Sequence, residues 1–318
     1  MMMKIMTPLM LLGMMLSSIS LMAKTIDQQL SADGIVAVKI ENLRGKVRIN
    51  GADTKAISVI GKLDEKAQNF VFKHELDKVL IQVQMPKQMN SSFWHSEEEE
   101  SNLTITLPDH LAVEFTGVST DVKVSEINSE VFIQTVSGDI KAADLSTKVS
   151  LKTVSGNIDA KNLSGEVVLS TVSGNINDKE SKGQLVYRAV SGNIDASSKA
   201  QDIEASIISG NIDLNLDQIE NANLSSISGH IEVSMVLRDQ GRVKLSSVSG
   251  NTDLQVQEGV NAEFKVYSNA DGKIINRVTK DQVKRAKYGP SSKLTTSTGK
   301  GSASVKASTV SGKVKIHY

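Results

Sequence analysis

Runs of alternating apolar and polar residues, broken at regular intervals by Ser-Gly-Asn, fill the second half of this chain. The interrupting glycines are Gly138, Gly156, Gly174, Gly192 and Gly210, each 18 residues after the last, followed by Gly229 at 19, Gly250 at 21 and Gly272 at 22. Seven residues before the glycine stand Val131, Val149, Val167, Leu185 and Ile203, and five before it Ile133, Leu151, Leu169 and Tyr187. Two after it stand Ile140, Ile158, Ile176, Ile194, Ile212 and Ile231. Positions seven, five and three before the glycine share one parity and positions two and four after it share the other. Period-two alternation therefore runs into the corner, bends and resumes, which predicts two short strands per repeat. Glycine suits the bend because it reaches positive φ freely, and Ser and Asn beside it bond the local backbone.

Two strands of about five residues and two connections use about 18 residues, one coil of a narrow solenoid. The prediction is an all-β, single-stranded β-solenoid of the β-helix or β-roll kind, each coil burying its apolar face against its neighbours. The register reaches back to Thr120 and forward to Gly272 and then Gly312, with degenerate outer copies. A further file of apolar residues lies two before the glycine: Val136, Val154, Val172, Val190, Ile208, Ile227 and Val248. Within one repeat, Val172 and Ile176 are expected to point into the core and Asn175 outward. Residues 24–110 are also strand-rich but lose the 18-residue spacing, and are expected to cap residues 111–318, since an open first coil would invite edge-to-edge aggregation.

Composition narrows the class. Aromatic residues make up only 3% of 318 residues, which fits a thin core of Val, Ile and Leu. Met1 to Ala23 carries Lys4, an apolar stretch from Met6 to Leu16 and small residues before Ala23, and reads as a signal peptide cut near Ala23-Lys24. An exported protein, periplasmic or attached to the cell surface, with no integral membrane span after cleavage, is expected. Removing Lys4 with that segment leaves 35 basic against 36 acidic residues, a net charge of about −1 that argues against nucleic acid as a partner. There is no cysteine, hence no disulfide and no metal-thiolate site.

Candidate chemistry is sparse. The stretch Phe93-Trp94-His95-Ser96-Glu97-Glu98-Glu99-Glu100 reads as a solvated loop, because one His beside consecutive carboxylates defines no ligand geometry. Asn276 to Ser297 carries Arg277, Lys280, Lys284, Arg285, Lys287 and Lys293 against Asp281, a local charge of +5 suited to anionic envelope polymers or to plain solvation. Calcium-roll chemistry needs a Gly-Gly-x-Gly-x-Asp pattern that the repeats lack. Three residues after the glycine stand Asp159, Asp195, Asp213, Glu232 and Asp253, a surface column in which Asp195 and Asp213 would sit on neighbouring coils at the separation of a retaining glycosidase pair. The repeat itself generates that spacing, so a solvent-facing column is the simpler reading. Asn157, Asn175, Asn193 and Asn211 form an amide file that would bond along the stack. The five histidines are scattered and give no Ser-His-Asp arrangement.

Thr-Val-Ser-Gly-Asn-Ile at Thr153 and Thr171, the opening Glu41-Asn42-Leu43-Arg44-Gly45-Lys46-Val47-Arg48-Ile49, the strand Leu103-Thr104-Ile105-Thr106-Leu107-Pro108 and the closing Thr309-Val310-Ser311-Gly312-Lys313-Val314 carry a resemblance. Together they resemble the bacterial putative-adhesin family, domain of unknown function 4097, across most of the chain. The resemblance implies an exported β-solenoid with no catalytic residues to carry over. The departures are Thr120 for glycine, Thr252 for isoleucine and the basic insertion. The expectation is a non-catalytic binding, scaffold or adhesin protein of the cell envelope without cofactors, its partner an envelope polymer, glycan or protein. The alternative is a carbohydrate-active β-helix enzyme using the Asp column.

Overall fold

The computed structural model describes residues 24–86, 100–270 and 272–318; the expected leader Met1 to Ala23 and the loop from Phe93 to Glu99 lie outside the described residues. Among the described residues there is no α-helix. The chain opens with β1 (Thr25–Ser31), β2 (Ala37–Ala52), β3 (Ala56–Lys62), β4 (Asn69–Glu75), β5 (Lys78–Gln84), β6 (Ser101–Pro108) and β7 (Ala112–Ile127). Regular coils follow: β8 (Val131–Ser137) with β9 (Ile140–Leu145), β10 (Lys148–Ser155) with β11 (Ile158–Lys161), β12 (Ser164–Ser173) with β13 (Ile176–Lys179), and β14 (Lys182–Ser191) with β15 (Ile194–Ser198). Strands β16 (Asp202–Ser209), β17 (Ile212–Ser228), β18 (Ile231–Ser249) and β19 (Thr252–Val256) continue them, the long β17 and β18 running through a corner.

Each coil contributes one strand to each of two parallel ladders. In the first, Val149 faces Val131 on one side and Val167 on the other; in the second, Ile158 faces Ile140 and Ile176. The 18-residue spacing is the register that lets identical positions stack. Where the spacing lengthens to 19 and 21, β17 and β18 absorb the extra residues as register shifts after Leu216 and Ile219. Coil stacking also reaches into the N-terminal region. There β2 lies between β7 on one side and β5 and β6 on the other, all parallel, with Gly45 opposite Thr120. Antiparallel β4 covers β5, while β3 covers β6 and is itself covered by β1.

The C-terminal end departs from chain order. After β19 come β20 (Ala262–Ser268), β21 (Lys273–Asn276), β22 (Lys284–Arg285), β23 (Ser292–Ser297), β24 (Ala303–Ser311) and β25 (Lys313–His317). The final coil does not extend the rod. Instead β24 pairs in parallel with both β18 and β20, and β25 with both β19 and β21. The glycine corners stack as Gly250, Gly312, Gly272, so the reading of Gly272 as the coil next to Gly250 is corrected: the last 16 residues occupy that place. The basic insertion is the cap of this end. Antiparallel β23 covers β20, β22 covers β23, and Val278, Leu294 and Thr296 are buried beneath them.

Packing follows the predicted parity with one correction. Val149, Leu151, Thr153, Ile158, Ala160 and Leu163 of one coil are all buried, as are their equivalents in the coils immediately before and after it. Val172, expected inside, is 46% exposed, while Ile176 is fully buried and Asn175 half-buried. The cause is the parity itself: if Val167, Leu169 and Thr171 face inward, the next residue must face outward. The buried Thr at the third position before the corner donates its hydroxyl to the previous corner's carbonyl, Thr153 Oγ1 to Gly138 O at 3.2 Å and Thr171 Oγ1 to Gly156 O at 3.1 Å. Glycine recurs for a second reason besides its φ of +157° at Gly174. A Cβ there would lie 1.9 Å from the carbonyl oxygen of Gly156, so the coils could not stack with any side chain at that point.

Candidate binding surface

Because the position before Ser-Gly faces solvent in every regular coil, the recurring Val or Ile there forms one continuous file on the first ladder. In spatial order it is Val136, Val154, Val172, Val190, Ile208, Ile227, Val248 and Val310, each 41% to 51% exposed. Val310 joins only because β24 pairs with β18. Eight members at about 4.8 Å per coil make a ridge about 34 Å long. It is flanked on the corner side by exposed serines such as Ser155, Ser173 and Ser191. On the other side, Ser206, Ser225, Ser246 and Ser308 run beside its C-terminal half.

Around the corner, the amide file forms a second continuous feature. The backbone N–H of each member donates to the side chain one coil back: Asn157 to Asp139 at 2.8 Å, Asn175 to Asn157 at 2.9 Å, Asn193 to Asn175 at 2.9 Å and Asn211 to Asn193 at 3.0 Å. His230 and Asn251 continue it, with His230 Nδ1 accepting from Asn251 N–H at 3.2 Å. These amides are committed to holding corners in register, so they offer a ligand little beyond their remaining N–H groups.

The carboxylate column stands on the second ladder. Asp195, Asp213, Glu232 and Asp253 are direct neighbours on four successive strands, while Asp159 is separated from Asp195 by Asn177. Its ends are neutralised. Asn177 Nδ2 donates to Asp159 at 2.9 Å with Lys141 Nζ 3.9 Å away, and Asp253 receives Lys315 Nζ at 2.7 Å and His317 Nε2 at 2.8 Å. The repeat turns Gly138, Gly156, Gly174, Gly192, Gly210, Gly229 and Gly250 lie between the two ladders as stacked corners. Among the described residues no three His, Cys, Asp or Glu side chains approach closely enough to hold a metal ion.

Two buried polar groupings were not foreseen in the sequence: the Arg44–Asp64 ion pair of the N-terminal region, Nε to Oδ2 at 2.5 Å, and a cluster in the regular coils. Asp178 takes the inward place held by Ala142, Ala160 and Ala196 in neighbouring coils, and is buried. Ser181 Oγ donates to its Oδ1 at 2.6 Å and Tyr187 Oη to its Oδ2 at 2.5 Å. Burial pushes the Asp178 carboxyl above the ordinary carboxylate range, partly opposed by the two hydroxyl donors. Burial and the facing carboxyl push the Tyr187 phenol well above its ordinary value. The signal was an acid at an inward parity position with a tyrosine nine residues later. The cluster is sealed in the core and reaches no ligand.

The remaining concavities are shallow. A groove of about 560 Å³ on the first ladder sets Asp202 and Glu204 beside Arg242, Lys244 and Lys306, a mixture of charges with no nucleophile and base in hydrogen-bond reach.

No curated protein matches the chain. Among solved structures it is similar to a putative cell adhesion protein from Clostridium sporogenes (12% identity, 92% of this chain and 99% of that one, TM-score 0.23). It is also similar to a putative adhesin from Bacteroides fragilis (13%, 92% and 97%, TM-score 0.37) and to a putative lipid binding protein from Parabacteroides distasonis (10%, 92% and 96%, TM-score 0.33). A family model described as Toastrack DUF4097 matches residues 35–317. With that model spanning nearly all of the described coils, the chain belongs to the Toastrack DUF4097 family.

Proposed function

We propose that the protein is a non-catalytic binding scaffold of the cell envelope, of the adhesin type, which meets its partner along the exposed Val/Ile file. That file carries the reading. Strand propensity alone favours β-branched residues at every outward position. Yet the adjacent outward file runs Gln134, Lys152, Ser170, Arg188 and Ser206. Aliphatic side chains are held to one line through eight coils and are absent from the line beside it, the pattern of a contact surface rather than of a sheet merely satisfying its backbone. A flat, evenly repeated surface suits an extended partner. Export through the apolar N-terminal segment would deliver the rod to the envelope.

The test is retention of purified protein on isolated cell envelopes. Replacing Val154, Val172 and Val190 together by Thr should lower retention at least ten-fold while leaving the melting temperature nearly unchanged. Replacing Asp159, Asp195 and Asp213 together by Asn should produce only a graded, salt-sensitive change. Unchanged retention of the Thr variant would overturn the reading. So would polysaccharide cleavage that stops when Asp195 alone becomes Asn, which would promote the carbohydrate-active alternative. Cell fractionation, probing for a mature chain beginning near Lys24, tests the envelope assignment.

A further inference from the structure

At the C-terminal end of the rod, far along the stack from the first regular coils, the cap formed by β22 and β23 concentrates positive charge. Arg277, Lys280, Lys284, Arg285, Lys287 and Lys293 are all exposed, and among the described residues none has a carboxylate within ion-pair distance. Elsewhere on the surface cations often have such partners, as in Arg188 with Glu204, Arg238 with Glu220 and Lys265 with Glu263. Here Lys284 lies directly opposite Lys293 in the antiparallel register, an arrangement that costs stability unless an anion sits nearby. The one acid of the segment, Asp281, is exposed but turned to the cap, its Oδ2 accepting the hydroxyl of Thr296 at 2.5 Å, and it pairs with none of the six cations.

The hairpin also projects an aromatic ring. Its turn, closed by Ala286 N–H donating to Ser291 O at 2.9 Å, carries Tyr288 at 85% exposure, with Lys287 Nζ 5.3 Å from the ring centroid. Beneath it Lys293 Nζ lies 5.2 Å from the half-exposed ring of Tyr267. A tyrosine held out among lysines and arginines is the side-chain chemistry of a membrane interface, where the ring sits at headgroup level and the cations meet phosphates. We propose that this basic hairpin is a docking tip for a phosphate-bearing, anionic lipid surface. With a net charge near neutral overall, a local charge of +5 at one end also gives the rod a polarity that turns that end toward such a surface. A soluble polyanion would be served by the cations alone; the projecting ring favours the bilayer.

This proposal rests on residues separate from the Val/Ile file, so each can fail alone. The experiment is co-sedimentation of the purified full-length protein with vesicles of phosphatidylcholine containing one quarter phosphatidylglycerol. Vesicles of phosphatidylcholine alone subtract any contribution of the apolar Met6 to Leu16 stretch. The expected result is preferential binding to the anionic vesicles that weakens with salt, falls about five-fold for each of Lys284→Gln, Arg285→Gln and Lys287→Gln, and falls again for Tyr288→Ser. Dextran sulfate and inorganic phosphate distinguish the sources of the anion. Equal binding to neutral vesicles, binding unaffected by the three neutralising changes, or binding to dextran sulfate as tight as to vesicles and indifferent to Tyr288→Ser would overturn it.

Discussion

At Gly174 two requirements meet, a backbone at positive φ and a neighbouring carbonyl where a Cβ would stand. Gly174→Ala should therefore destabilise the rod by about 3 kcal/mol or more, as urea denaturation would measure. By contrast Val172 is exposed and Asn175 half-buried. Val172→Asp should cost about 1 kcal/mol or less because the site is solvent-facing, and Asn175→Ser about 1 kcal/mol because it loses the side-chain carbonyl that accepts the Asn193 N–H at a half-buried corner. The Asp178 cluster behaves differently. Its carboxyl is held above the ordinary range in the folded state, so folding retains a proton there that the unfolded chain releases. The stability this supplies is full below the unfolded value and is lost as pH rises through the folded one. Asp178→Asn should accordingly gain on the wild type in melting temperature as pH is raised from about 4 to 7, and a constant difference would contradict that. Tyr187→Phe removes one of the two hydroxyl donors to the buried carboxyl and should cost about 1–3 kcal/mol.

Each coil contacts its two neighbours, so the coil is the unit of stability. Deleting Asn175 to Gly192 removes one full period, and with it Asp178, Ser181 and Tyr187 together, leaving no orphaned polar partner. A shorter, folded rod is expected by circular dichroism and size exclusion, whereas removing nine residues should put every later strand on the wrong face and abolish folding. The period, the two-strand coil and the corners were legible because stacking forces identical positions to recur. The inward and outward faces were legible from parity at Val149, Leu151 and Ile158. At Val172 hydrophobicity pulled the other way, since an apolar residue repeated in every coil imitates a core position. Asp178 escaped because it bonds across two successive coils to Ser181 and Tyr187, residues that occur once each and leave no periodic trace. The cap at residues 276–297 read as an insertion because Leu294 and Thr296 find their packing against strands that are not adjacent in sequence.

The rod as a whole is closed at both ends by antiparallel strands, and its C-terminal closure depends on the last segment of the chain. Truncation after Ser302 would leave β18 and β20 about 9.6 Å apart, two ladder spacings, with nothing between them. Loss of cooperative melting and aggregation are expected, where removal of an outermost coil would only shorten the stack; a soluble monomer with an unchanged melting temperature would refute this. The same arrangement sets an order on assembly. A chain synthesised from its N-terminus makes the neighbours of the gap before it makes the strand that fills it, so the final 16 residues act as a keystone dropped between two waiting edges. A free peptide of residues 303–318 added during refolding should thus rescue the truncated chain in trans, since β18, β19, β20 and β21 each keep an edge that this segment pairs.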